Sequence, residues 1–183
     1  MCFCPAKMTG MLIRNETSAD YFKVAEINRL AFGGEQEVEL LDCLRSEKLL
    51  IASLVAVDSR DQIFGHILFS RAVIHFGVGD VPVASLAAMA VPPEMQLRGI
   101  GSALVRHGIK ACRRAGETAI IVMGHPEFYN EFGFSRESVQ HIKGPFAGEA
   151  FWGLELVPGA LSGIKGEAIY PAAFTGVCEK GGV

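Results

Sequence analysis

The sequence predicts one α/β domain built on a mixed sheet, and three observations carry that prediction. Segments of helical period alternate with β-rich segments along most of the chain. One β-rich segment, 83–91, is almost continuously apolar, as a strand covered on both faces is. No internal repeat and no Pro/Gly/Ser linker is long enough to divide the chain.

In order, Leu12 and Arg14 alternate in a first strand over 11–16. Ser18 or Asp20 can accept the free amides of a helix that runs to about Phe32, where Gly33-Gly34 breaks it. Val38, Leu41 and Leu44 fall on one stripe of a second helix over 35–46. Strands over 51–57 and 63–76 flank Asp58-Ser59-Arg60-Asp61, a hairpin signal, and 77–80 makes the next turn. The strand 83–91 stops at Pro92-Pro93, because proline has no N–H to give a ladder. A long helix over 99–115 follows, then a buried strand over 118–123, a short helix over 127–132 and a strand opening at Phe134. A strand over 152–157 is the last one predicted. The tail 158–183 carries Ile169, Tyr170 and Phe174 and is expected to pack on the body formed by 11–157. Residues 1–10 read as an N-terminal extension.

Composition narrows the function classes. The 183 residues are half apolar and one fifth charged, with 17 basic against 20 acidic side chains and a net charge of −3. That acidity argues against non-specific nucleic-acid binding, which needs a basic footprint. No apolar run approaches the roughly 20 residues of a membrane span, and 1–10 lacks the apolar core of a signal peptide, so a cytoplasmic protein is expected. Cys2, Cys4, Cys43, Cys112 and Cys178 are odd in number and irregularly spaced, unlike a disulfide framework. Neither they nor His66, His75, His107 and His141 fall at metal-ligand spacing, so no metal is expected.

The chemistry concentrates in two stretches. In the first, Gln96-Leu97-Arg98-Gly99-Ile100-Gly101-Ser102, a short loop after a buried strand opens a helix with two glycines. Free amides of a first helical turn, together with the positive end of the helix dipole, make an anion site suited to a phosphate. The plainer alternative is that the glycines serve only close packing. A Rossmann reading fails because no acid ends the next strand, and a P-loop fails because no Gly-Lys-Ser/Thr follows. On the helix itself, Arg106, Lys110, Arg113 and Arg114 share one face. That face is either simply solvated or, with Arg98, attractive to a phosphorylated ligand.

The second stretch is Gly124-His125-Pro126-Glu127-Phe128-Tyr129-Asn130-Glu131-Phe132-Gly133-Phe134. A tyrosine on a short helix after a buried strand can reach a cleft at the sheet edge and protonate a leaving thiolate. Alternatively, Tyr129 only packs beside Phe128, Phe132 and Phe134. Phe151 and Trp152 could wall a pocket, but buried aromatics at a strand start are the better reading.

Together, Ala90-Val91-Pro92, Gln96-x-x-Gly99-x-Gly101 and Tyr129-x-x-x-Gly133-Phe134 resemble the GCN5-related N-acetyltransferase (GNAT) family. The shortened Gly124-x-Pro126-x-x-Tyr129 segment and the Leu154-Glu155-Leu156 ending are most similar to its YhbS-like group. The resemblance implies a partly splayed central sheet and acetyl-CoA as cosubstrate. Met89, Ala90 and Val91 would hold the pantetheine arm, and the amides of Leu97, Arg98, Gly99, Ile100, Gly101 and Ser102 the pyrophosphate. It implies Tyr129 as general acid, and direct attack of an amine, small-molecule or peptide, on the thioester. A homodimer is an expectation by analogy with the fold.

The chain departs from the pattern in one respect: 85–91 holds no carboxylate to act as base. His125, an imidazole at a strand end, stands in as candidate, with Glu94 and Glu127 behind it. The missing base also keeps open a non-catalytic acyl-CoA sensor. Substrate-facing residues are expected in the first two helices and in the loops after Phe76 and Ser138.

Overall fold

The computed structural model describes residues 10–77 and 79–176. Residues 1–9, with Cys2 and Cys4, and residues 177–183, with Cys178, lie outside the described residues. Strands β1 (Leu12–Asn15), β2 (Leu50–Val57), β3 (Ile63–Phe76), β4 (Gly79–Ala90), β5 (Ala119–Met123) and β7 (Phe151–Glu155) line up in the order β1-β2-β3-β4-β5-β7. All neighbours are antiparallel except β4 and β5, so the sheet is mixed as expected. Helices α1 (Tyr21–Phe32) and α2 (Gln36–Ser46) cover one face, α3 (Ile100–Arg114) covers the other, and α4 (Pro126–Asn130) follows β5.

The local reasons are visible in the sequence. Thr17 opens the first helical segment: its amide and hydroxyl both donate to Asp20 Oδ2 (2.7 and 2.9 Å). Arg14 grips the same carboxylate with two nitrogens (2.7 and 2.9 Å). That bidentate bond holds Asp20 well below the usual carboxylate range. Gly33 ends α1 in the left-handed conformation at φ +80°, its amide bonded to Arg29 O at 2.8 Å. Asp58 Oδ1 accepts the amides of Arg60 and Gln62, closing the β2–β3 hairpin (2.8 and 2.9 Å).

Two cores flank the sheet. On the α3 side, Ile67, Phe69, Leu104, Val105 and Ile120 are fully buried. There α3 runs so close to β3 that a Cβ at Gly108 would overlap the Phe69 ring. On the α1–α2 side, Val24, Ile27, Leu41 and Leu44 meet Leu68, Ala88 and Ala90.

This second side also contains a buried polar chain. Arg45 pairs with Glu16, and Ser53 Oγ donates to Glu16 Oε2 (2.6 Å), so Ser53 can only accept from His66 Nε2 (2.9 Å). Asn28 Nδ2 donates to His66 Nδ1 (3.3 Å). The ring is therefore neutral with its proton on Nε2, and burial drives its pKa down to about 3. His66 is structural.

Four details differ from the sequence expectations. β4 starts at Gly79 and runs through Pro82, because β5 joins it only from Ala84, leaving Pro82 beside one neighbour rather than two. No strand opens at Phe134; Ser135 makes a single bridge to Gly153. The segment after 157 adds β8 (Gly166–Ile169), which pairs with β3 at Val73, Ile74 and His75, beyond the reach of β2, and with the two-residue β6 (Ile142–Lys143). Cys43 takes part in a disulfide, which the irregular spacing did not foretell, whereas Cys112 is a free buried thiol whose pKa burial pushes up to about 12.

Candidate active site

The parallel pair β4–β5 is the shortest ladder in the centre of the sheet. Only Ala84 and Ser85 of β4 pair with Ile120 and Ile121; beyond them the two strands part. On its other side β4 stays bonded to β3, except that Ala87 is an extra residue bulged between Leu86 and Ala88. The gap is a cleft of about 1710 Å³, walled by β4, the start of α3, α4, α2 and the segment after β8.

Residues 92–102 form one wall. Pro92 O accepts Met95 N (2.8 Å), and Gln96 Nε2 ties back to Val91 O (3.0 Å), so this carbonyl of the expected pantetheine contacts is already engaged. Leu97 adopts φ +60° with its side chain in solvent, and Gly99 caps α3 at φ +81°. A left-handed leucine costs on the order of 1–3 kcal/mol, and such strain concentrates at functional turns. The first intrahelical bond is Ala103 N to Gly99 O (3.0 Å), which leaves the amides of Ile100, Gly101 and Ser102 free. The glycines are not packing devices. A Cβ on Gly99 would have nothing within 4 Å, and one on Gly101 would meet only Phe128 and Met89 at 3.5 and 3.8 Å. Close packing, one of the two readings open in the sequence, therefore does not account for them, and the left-handed φ of Gly99 does call for glycine.

α4 forms the facing wall. His125, its extended N-cap, accepts the amides of Phe128 and Tyr129 (both 3.2 Å), and Pro126 fixes the first turn. Tyr129 packs edge-on to Phe128 and Phe134 (centroids 5.1 and 5.5 Å apart) and is only 6% exposed. It nevertheless lines the cleft, and its hydroxyl bonds no described residue. The aromatic-cluster reading therefore holds, and the same side chain faces the cleft. Burial pushes its pKa up to about 12.

The other candidates sort by position. His125 lines the cleft with an exposed imidazole, as do Met89, Val91, Leu97, Gly99, Ile100, Gly101 and Ser102. Ala90 turns into the α1–α2 core and Arg98 bonds Glu94 O (3.0 Å), so neither side chain reaches the cleft. Glu94 and Glu127 stand outside it too. Phe151 and Trp152 are buried outside it as well, the indole N–H of Trp152 donating to Gly124 O (3.1 Å).

The basic face of α3 is only a surface. Arg106 lies over the Phe132 ring (5.0 Å), Arg113 bonds Leu156 O (3.2 Å), and none of the four cations lines the cleft. Sequence reasoning missed Ser85, Glu131 and the segment 170–176. α1 and α2 do contribute, through Phe32, Gln36, Glu37, Glu39 and Leu40, and the loop after Ser138 contributes Phe146; the loop after Phe76 does not.

The GNAT acetyltransferase domain family matches residues 12–136, from β1 through α4. The chain belongs to this family. As a GNAT acetyltransferase it is 28% identical to the N-acetyltransferase YhbS of Escherichia coli (strain K12) over 166 residues, 90% of this chain and 98% of that one. The crystal structure of Escherichia coli YhbS in complex with CoA superposes with a TM-score of 0.82 at 27% identity, covering 91% of this chain and 92% of that one. A GNAT family acetyltransferase from Brucella melitensis in complex with acetyl-CoA gives 0.74 at 30% identity, covering 90% and 97%. The open sheet flanked by helices is the architecture these GNAT structures share with this chain.

Proposed function

We propose that this GNAT domain transfers an acetyl group from acetyl-CoA to an amine by direct attack on the thioester. The observation that carries the reading is a pair of facing walls in one cleft. One offers the free amides at the start of α3; the other offers the buried, unpartnered hydroxyl of Tyr129. The complexes of the two relatives with CoA and acetyl-CoA support the choice of cosubstrate.

In this reading the amides of Leu97, Arg98, Gly99, Ile100, Gly101 and Ser102 hold the pyrophosphate at the positive end of α3. The main chain of Met89, Ala90 and Val91, unpaired toward β5, holds the pantetheine arm as a strand would be held. The amine lone pair forms the N–C bond, the C–S bond breaks, and the electron pair leaves on sulfur. Tyr129 gives its proton to that sulfur. Its raised pKa keeps the phenol protonated at neutral pH, and the same burial raises the pKa of a thiol placed beside it, so donor and acceptor stay matched. His125, the N-cap four residues before Tyr129, takes the proton from nitrogen.

Calorimetric titration tests the cosubstrate half. Acetyl-CoA and CoA bind the unaltered protein, and Gly101→Glu, which sets a carboxylate beside the free amides, abolishes binding without unfolding the domain. Absence of binding to the unaltered protein overturns the reading.

A further inference from the structure

The half of the cleft away from the α3 amides has its own chemistry. It is assembled where α2, the Ala87–Ala88 bulge of β4 and the turn after β8 meet: Leu40, Ala87 and Phe174 pack against the shared core of Leu41, Ala88 and Ala173. Glu37 and Glu39 of α2 line it, and neither forms an ion pair. Among the described residues, no lysine or arginine lines the cleft anywhere. Acids in the first turn of a helix do favour its dipole, which accounts for their presence in α2 but not for their facing a cavity without cations.

An independent observation lies on the floor. Ser85 is 3% exposed and lines the same cleft, yet its hydroxyl bonds no described residue. Its cross-strand partner, Ser70, also buries a hydroxyl without a partner. The Ser85 hydroxyl opens to the cleft and is available to a polar group of its occupant. The same cleft also has apolar lining, through Phe32, Leu40 and Phe174.

From these features we propose that the acceptor is a diamine or polyamine. One nitrogen is held neutral over Ser85 for attack, the methylene chain lies along the aromatic and leucine side chains, and the second, protonated nitrogen sits on Glu37 and Glu39. This rests on the acetyltransferase reading and narrows it. A carboxylate-bearing amine such as an amino acid is disfavoured, because its charge would be placed beside Glu37 and Glu39 with no lysine or arginine among the described lining residues.

The test compares acceptors that share one chain: putrescine, butylamine and γ-aminobutyrate, with spermidine as a longer member. Each is assayed as thiol release from acetyl-CoA by the full chain. The diamines are expected to exceed butylamine about tenfold or more in kcat/KM, with γ-aminobutyrate lowest. In the Glu37→Gln, Glu39→Gln double variant, KM for putrescine rises about tenfold. Its kcat, the KM for butylamine and acetyl-CoA binding stay unchanged. Equal use of butylamine and putrescine, or an unmoved putrescine KM in the variant, overturns the proposal, as does acetyl-CoA binding without turnover of any diamine. Failure to bind acetyl-CoA at all instead overturns the underlying acetyltransferase reading.

Discussion

The ring of Tyr129 lies against the α-carbon of Gly124, five residues earlier, so closely that any Cβ at 124 would overlap its Cε2. The carbonyl of the same glycine is pinned by the Trp152 indole (3.1 Å), so the backbone has no room to retreat. Gly124→Ala is therefore expected to push the phenol out of line. Turnover falls roughly ten- to a hundredfold, as about an ångström of misplacement costs, while acetyl-CoA affinity changes little. Steady-state kinetics beside calorimetry checks this.

Tyr129→Phe removes the proposed proton donor and keeps the aromatic packing. Turnover is expected to drop on the order of a hundredfold or more, with acetyl-CoA affinity intact. An unaltered rate would take the acid role from Tyr129. A protein that binds acyl-CoA and turns over no amine, before or after the change, would be the sensor that the missing β4 carboxylate keeps in view.

Asp20 carries the Arg14 fork and the Thr17 cap at once. Its folded pKa lies below its unfolded value, so its contribution is complete above about pH 4 and is lost as pH falls through the folded value. Asp20→Asn should destabilise the domain by about 2 kcal/mol at neutral pH, and the difference from the unaltered protein should shrink in acid. Urea melts at two pH values measure both.

His66 acts over a different pH range. The unfolded ring binds a proton below about pH 6.5, and the folded ring resists until about pH 3. Between those values the unfolded state holds the extra proton, so stability falls as pH drops, by at most about 1.4 kcal/mol per pH unit from this group. His66→Gln should flatten that slope even though it lowers the stability maximum.

Gly108→Ala would set a methyl group into the Phe69 ring. A loss of about 3 kcal/mol is expected, with the residual native protein still binding acetyl-CoA, because Gly108 lies two turns along α3 from its free amides.

The parts of this molecule legible in the sequence were those built from contiguous residues. The glycine turn ahead of α3 and the tyrosine helix after β5 each occupy one short stretch, and local chemistry alone raised both. The end proposed to take the acceptor is different in kind. Glu37, Ser85, Phe146 and Phe174 are brought together only by the sheet, and each alone looks like an ordinary surface or strand residue. β8 was unreadable because Gly-Glu-Ala-Ile has no alternation to see; its glycine is there for contact, since a Cβ at Gly166 would strike the His75 carbonyl. The bulge at Ala87 leaves no mark in a run of small apolar residues. The basic face of α3, conspicuous in the sequence, turned out to point away from the cleft.

Where β4 leaves β5 after Ser85, five residues of main chain, 86–90, become a raw sheet edge in the middle of a folded domain. Elsewhere such an edge invites another polypeptide to zip onto it. Here that edge faces the cleft, between the α3 turn and α4. The domain thus keeps a length of unspent peptide hydrogen bonding, roughly 17 Å of it at strand spacing, open to the cleft.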